Sequence, residues 1–490
     1  MIYPDFPTFE KLSSQGNLIP VYREILADLD TPLSAFAKIG GKQSFLFESL
    51  EGGEKWARYS FLGSNPSMTL ALRGREVILT RGKRQETVQF ASDPFEVVEK
   101  EFSHCEPISV PGLPRFYGGF VGYIGYDTVR FFENIGEKWH KSPVPDDLFL
   151  MLADTVLIFD NLKHVIKIVC NASVEDGTPE TAYKEAVEKI DQIVSQMRSA
   201  PCMPDQESRL NSKEVTSNFT KSEFMEAVKK AKHYIQQGDV IQTVLSQCFE
   251  KDVEVHPIHV YRALRQINPS PYMFYLNTGE VTLVGSSPEI LVRLENGRIE
   301  VRPIAGTRRR GKSREEDLAL EQELLADPKE NAEHIMLVDL GRNDAGRVAI
   351  IGSVNVRELK TVERYSHVMH ITSSVEGQLA PGYNMFDLLR ATFPAGTLTG
   401  APKIRAMEII EELEPVRRGT YGGAVGYFGF SGSMDMCITI RTILFHGKKA
   451  YIQAGAGIVA DSDPESEYDE TVNKAKGMVK AIEMAEKGLD

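Results

Sequence analysis

The chain has 490 residues, beyond the length at which one hydrophobic core usually stops growing, so two domains, or one large domain with a substantial lobe, are expected. Hydrophobic residues make up 42% and charged residues 26%, which suits a globular protein and excludes a disordered or fibrous one. A net charge of -13, from 56 Lys and Arg against 69 Asp and Glu, repels nucleic acid and anionic membranes.

The start, Met1-Ile2-Tyr3-Pro4-Asp5-Phe6, lacks a basic head and a continuous apolar stretch, and no later run reaches bilayer length; a cytoplasmic protein is expected. Strand-like runs follow at Ser44–Phe47, Thr155–Phe159 and Val165–Val169, then an amphipathic helix pattern at Thr181–Met197. The polar stretch 200–218, with Pro201 and Pro204, reads as a linker between a first lobe, 1–199, and a second, 219–490. In the second lobe Ser222–Gln237 reads as a helix, and Val281–Val284, Ile299–Val301 and Ala450–Ala454 as strands. Strands arrive in consecutive pairs, which predicts an α+β protein with antiparallel sheets and helices outside, not a doubly wound parallel sheet. The basic triplet Arg308-Arg309-Arg310 is followed at once by Glu315, Glu316 and Asp317, so it reads as a solvated loop or a small-anion contact. The five cysteines are scattered without a CxxC spacing, which supports neither zinc nor a disulfide framework. Tyr117–Tyr126 (YGGFVGYIGY) echoes Tyr421–Phe430 (YGGAVGYFGF), a grammar of edge strands in which glycine permits close backbone approach.

Two similar helix starts carry the first chemical signal. Asp327-Pro328 and Asp463-Pro464 each pair an N-cap candidate with proline at the first helical position. Each then delivers two carboxylates three residues apart on one face, Glu330 with Glu333 and Glu467 with Glu470. Glutamates there suit the helix dipole, and equally suit a divalent cation held where two such faces meet; spacing alone leaves both readings open. Glycine-dense loops at Gly306-Thr307, Gly396–Gly400 and Gly455–Gly457 form the second signal, because unobstructed amides cradle carboxylates as they do phosphates. None fits a Walker or Rossmann fingerprint, and without a GxSxG elbow a serine nucleophile is poorly supported.

These segments resemble the chorismate-utilising enzymes, and within them the anthranilate synthase branch. The marks are Pro303–Arg308, Glu333-His334, Val338–Asp344, Phe393–Lys403, Gln453–Gly457 and Asp469–Ala475, in order across the second lobe. The resemblance implies two packed antiparallel sheets with helices outside, an N-terminal regulatory lobe, and Mg²⁺ held by Glu333 and Glu470 with Glu330 and Glu467 acting through water. It implies chorismate as substrate, with its enolpyruvyl carboxylate at Arg441, Tyr421 and the amides of Gly455, Ala456 and Gly457, its ring beside Gly306 and Thr307, and Lys474 also in the substrate site. It further implies Glu289 as the acid for the departing hydroxyl and His370 in the later elimination.

Two positions argue the subtype. Relatives that add water carry lysine where this chain has Gln242, so Gln242 suits ammonia as nucleophile; aminodeoxychorismate synthases, the alternative, often carry lysine at Ala305. Phe47-Glu48-Ser49 and Asn268–Met273 resemble segments of a tryptophan feedback pocket, which implies tryptophan near Ser49, Pro271, Tyr272 and Met273. The chain shows no amidotransferase motif, so the resemblance implies a separate glutamine amidotransferase subunit as ammonia source. Arg309 and Gln247 depart from the family's common proline and arginine without removing any of these groups.

Overall fold

The computed structural model describes residues 1–50, 58–136, 142–175, 177–205, 214–365 and 368–489. Its strands form two antiparallel sheets, of 13 and 12 strands. Both sheets draw on both halves of the chain. In the first, Ser44–Glu48 pairs with Tyr272–Asn277; in the second, Gly119–Ile124 pairs with Ala424–Gly429. Residues 200–218 therefore divide the sequence without dividing a sheet. That stretch lies partly outside the described residues, and within it Thr216–Ser217 pairs with Phe249–Glu250 at one edge of the first sheet.

Alternation along the strands explains the layering. Consecutive residues point to opposite faces, and Leu46 and Ile443 join a core with the helices Pro179–Met197, Pro257–Ile267 and Pro464–Lys487. Their neighbours Phe45 and Leu444 face the other way, meeting Val121, Tyr123 and Tyr427 of the second sheet in a core between the sheets. Phe120 and Ile124 turn to a third core, shared with Phe386, Leu389 and Met407 of the helices Met385–Thr392 and Lys403–Leu413. The order is helix, sheet, sheet, helix. With both faces of each sheet covered, strands such as Thr155–Asp160 are buried along their whole length, with four apolar residues, Val156–Phe159, in a row.

The glycine-and-aromatic echo is a contact. Gly122 pairs with Gly426 and Phe120 with Phe428, so the two copies are neighbouring strands. They lie inside the sheet, not at its edge as their composition suggests. A Cβ on Gly122 would fall 1.9 Å from the Phe149 carbonyl oxygen, and one on Gly426 would fall 2.0 Å from that of Asp435. Close approach to the next strand thus requires glycine at both positions. No described helix is long and apolar enough to cross a membrane.

Candidate active site

The helices Pro328–Gly346 and Pro464–Lys487 begin as their sequences predict. Asp327 accepts from the Lys329 and Glu330 amides, Asp463 accepts from the Ser466 amide, and proline opens each helix. The two starts face one another. Lys329 of the first acts electrostatically on Glu467 of the second, and Lys474 of the second acts on Glu333 of the first. Lys474 also lies 2.7 Å from Glu470 Oε1 and donates to the Gly455 carbonyl at 3.0 Å.

Burial, then the neighbouring Glu330, pushes the Glu333 carboxyl up, against a hydrogen bond from Gln242. Burial raises Glu467 as well, against a bond from Ser462. Arg308 covers Glu330 at 3.0 Å while reaching Asp327 at 2.8 Å. Among the described residues no three His, Cys, Asp or Glu side chains meet as a closed ligand nest. What the helices offer is an oxygen-only set with carboxylates from opposite sides. That fits Mg²⁺, which takes one or two carboxylates and completes its octahedron with water and substrate oxygens.

Glu289 follows the strand Val281–Ser287 and is only 5% exposed. Burial pushes its carboxyl up to about 8; Glu333 adds to this, while bonds from Thr397 and the Ile304 amide oppose it. At neutral pH the group is largely a neutral acid, able to donate. Thr397 Oγ1, its 2.8 Å partner, comes from the helical turn Gly396–Thr399.

His370 is placed by the strand Val368–Gln378, which pairs with Ile304–Arg309 across an irregularity between Ala305 and Arg308. Its Nδ1 lies 2.8 Å from the Gly306 carbonyl and 3.1 Å from Thr307 Oγ1. A carbonyl only accepts, so Nδ1 carries the proton and Nε2 keeps its lone pair. Burial lowers the imidazole's pKa, opposed by the Gly306 bond. The ring is a neutral base. Gly306, at φ +68°, packs against the acidic site, since a Cβ there would lie 3.1 Å from Glu330 Oε2.

Gly306-Thr307 and Gly455–Gly457, expected as loops, are strand residues, in Ile304–Arg309 and Lys449–Ile458. The physical reason is packing: glycine here admits side chains against a strand. A Cβ on Gly455 would meet the Tyr421 hydroxyl at 2.7 Å, and one on Gly457 would meet Gln242 Nε2 at 2.6 Å. The strand Thr442–His446 flanks this strand only to Ile452, whereas Gln242–Asp252 flanks it to Ile458. Beyond Ile452, one edge therefore has no strand partner among the described residues. Arg441 stands at this step in the left-handed region, φ +50°, a conformation costing of order 1 kcal/mol for a non-glycine residue. Its guanidinium makes no ion pair among the described residues, acts on Glu470, Tyr421 and His370, and has its pKa lowered by burial. An open cleft of about 520 Å³ is lined by Arg441, Glu470 and Lys474. A half-buried arginine at its wall, with no ion pair among the described residues, could receive a carboxylate.

The description chorismate binding enzyme matches residues 43–480. The chain belongs to the chorismate binding enzymes. It is 52% identical over 489 residues to anthranilate synthase component 1 of Aquifex aeolicus (strain VF5), covering 98% of each chain. It also superposes on the crystal structure of anthranilate synthase component I from Streptococcus pneumoniae TIGR4, with TM-score 0.77 and 36% identity over 93% of this chain and 98% of that one. The menaquinone-specific isochorismate synthase MenF from Escherichia coli shares the fold, with TM-score 0.70 and 19% identity over 97% of this chain and 99% of that one.

In this chorismate binding enzyme Ser49, Pro271, Tyr272 and Met273 line one cavity of about 70 Å³ between the sheets, with Arg115, Arg293 and Asp435. Tyr272 donates to Asp435 at 2.8 Å and accepts from Arg293 at 2.9 Å. Sequence reasoning gave no role to Thr397, Glu414 or Arg418. A Glu-Arg pair four residues apart ordinarily marks an exposed helix face; here Glu414 is 4% and Arg418 2% exposed.

Proposed function

We propose that the chain is a Mg²⁺-dependent lyase that aminates chorismate with ammonia and releases pyruvate and anthranilate, opening tryptophan synthesis. The observation that carries this reading is Glu289: a buried carboxyl, protonated up to about pH 8, beside two acidic helix starts. Hydroxide is a poor leaving group without such a donor.

Chorismate is a dianion. Arg441, Tyr421 and the edge at Gly455, Ala456 and Gly457 suit its enolpyruvyl carboxylate. Glu333 and Glu470 would hold Mg²⁺ directly, Glu330 and Glu467 through water, and the ion when bound would balance the ring carboxylate's charge. Glu289 gives its proton to the ring hydroxyl as that C–O bond breaks. Ammonia forms the new C–N bond, the ring double bonds shift, water leaves, and the proton shed by the new ammonium group restores the Glu289 acid. His370 Nε2 then takes a ring proton as the enolpyruvyl C–O bond breaks, so the ring becomes aromatic and the side chain departs as enolpyruvate, which takes up a proton at its methylene carbon to become pyruvate. Gln242, bonded to Glu333, puts an uncharged amide where water-adding relatives carry lysine.

The relatives' name, component 1, supports a second component supplying ammonia from glutamine. The cavity at Ser49, Pro271, Tyr272 and Met273 supports feedback by tryptophan. Tyr272 pairs with Ser287, two residues before Glu289, so an occupant that moves Tyr272 pulls on the acid. Isotopic labelling tests the reaction. With ¹⁵N-ammonium, label on an aromatic ring supports it; label on a non-aromatic ring still carrying the enolpyruvyl group would make the chain an aminodeoxychorismate synthase.

A further inference from the structure

Arg418 is 2% exposed and lies under the site, beyond reach of the open cleft. Its guanidinium makes four hydrogen bonds: Nε and Nη2 donate to Glu414 at 3.0 and 2.7 Å, Nη1 donates to the Leu398 carbonyl at 2.7 Å, and Nη2 also donates to the Val244 carbonyl at 2.7 Å. It stacks over the Tyr126 and Tyr421 rings, 4.7 and 5.6 Å from their centroids. Glu414 Oε1 in turn accepts from the Ser246 amide and hydroxyl, each at 2.8 Å, and Gln453 donates to that hydroxyl at 2.8 Å.

Arg418 ties its own segment to those of Leu398 and Val244, and each of these three segments carries one group of the proposed site. Leu398 adjoins Thr397, which holds Glu289. Val244 lies two residues beyond Gln242, which donates to Glu333. Tyr421 is the aromatic neighbour of Gly455 and Arg441. Taking a charge out of water is costly, and a buried ion pair is weak support for stability. A planar fork of five donors, however, can fasten three chain segments at fixed mutual distances, which a lysine ammonium or an apolar filler cannot.

We infer that Arg418, braced by Glu414, is the positioning residue that sets Glu289, Glu333 and Tyr421 relative to one another. The inference rests on the proposed amination, in which those three groups act together. It also predicts that damage to Arg418 disturbs acid strength and substrate binding at once, although the side chain touches neither the acid nor the substrate.

The test is Arg418→Lys, which keeps the charge and loses the fork, with Glu414→Gln as a second variant should the lysine protein not fold. Two readouts are taken beside wild type: KM and kcat for chorismate with ammonium, and, without substrate, the pH titration of the Glu289 carboxyl band in infrared difference spectra, assigned with Glu289→Gln. The expected result in folded variant is a fall in kcat/KM on the order of 100-fold, shared between a higher KM and a lower kcat, with a displaced Glu289 titration. Folded variants with wild-type kinetics and an unmoved titration would overturn the role, as would activity that falls only with the folded fraction. A wild type that leaves chorismate unchanged defeats the functional reading instead, and the substrate-free titration still decides the role of Arg418.

Discussion

Thr397 Oγ1 lies 2.8 Å from Glu289 Oε1 and donates to it, fixing one oxygen of a buried carboxyl. The bond favours the charged form and so works against burial, which pushes the group up to about 8. The acid acts only when protonated. Rate, referred to free ammonia, should therefore fall as pH rises through about 8. Thr397→Val removes a bond to the anion, so the fall is expected at higher pH, with kcat reduced about 10-fold by loss of orientation. A pH-rate profile of both proteins measures it; an unmoved or lowered midpoint would separate Thr397 from the acid.

Glu289→Gln removes the acid, and amination should slow by about 100- to 10,000-fold. Its stability should change in the opposite sense. The folded pKa lies above the unfolded value, so the wild type keeps the associated stability below pH 4.5 and loses it as pH rises through about 8. Denaturation at pH 5 should show the two proteins alike apart from the amide's own packing. At pH 9 the variant should gain relative to wild type by up to roughly 4 kcal/mol. A variant that loses ground at pH 9 relative to pH 5 would contradict this.

The helix starts were legible in the sequence because capping is local: Asp327-Pro328 and Asp463-Pro464 fix where Glu330, Glu333, Glu467 and Glu470 emerge. Their meeting across the site could not be read from spacing and was implied only by the family resemblance, because Lys329 and Glu467 are brought together by the fold. The expected strands and helices fall within the observed elements, and the antiparallel pairing followed from their order. The sharing of each sheet between both halves did not, since the pairing of Gly122 with Gly426 joins residues no local pattern connects. Glycine density suggested loops at Gly455–Gly457, yet there glycine is a strand residue clearing space for Tyr421 and Gln242.

Chelation should end turnover, and added Mg²⁺ should restore it. Glu333→Gln and Glu470→Gln each remove a direct oxygen and should abolish measurable Mg²⁺ binding or weaken it severely. Glu330→Gln and Glu467→Gln, acting through water, should weaken it about 10- to 100-fold. Calorimetric titration of each folded variant separates the two classes; four equal affinities would mean the ion binds elsewhere.

Ser49→Phe places a ring in the cavity it shares with Pro271, Tyr272 and Met273. Tryptophan inhibition should be lost or raised to much higher concentration, because the occupant's space is filled. Inhibition curves of wild type and variant decide it, and coincident curves would remove tryptophan from this cavity.

The reaction itself is the most direct test. Purified chain, chorismate and ammonium at alkaline pH are followed by anthranilate fluorescence and by coupled assay of pyruvate, with and without Mg²⁺. Both products should appear in equimolar amounts, and only with the metal. Pyruvate without fluorescence, an aminated product without pyruvate, or full turnover in a chelator would contradict the account.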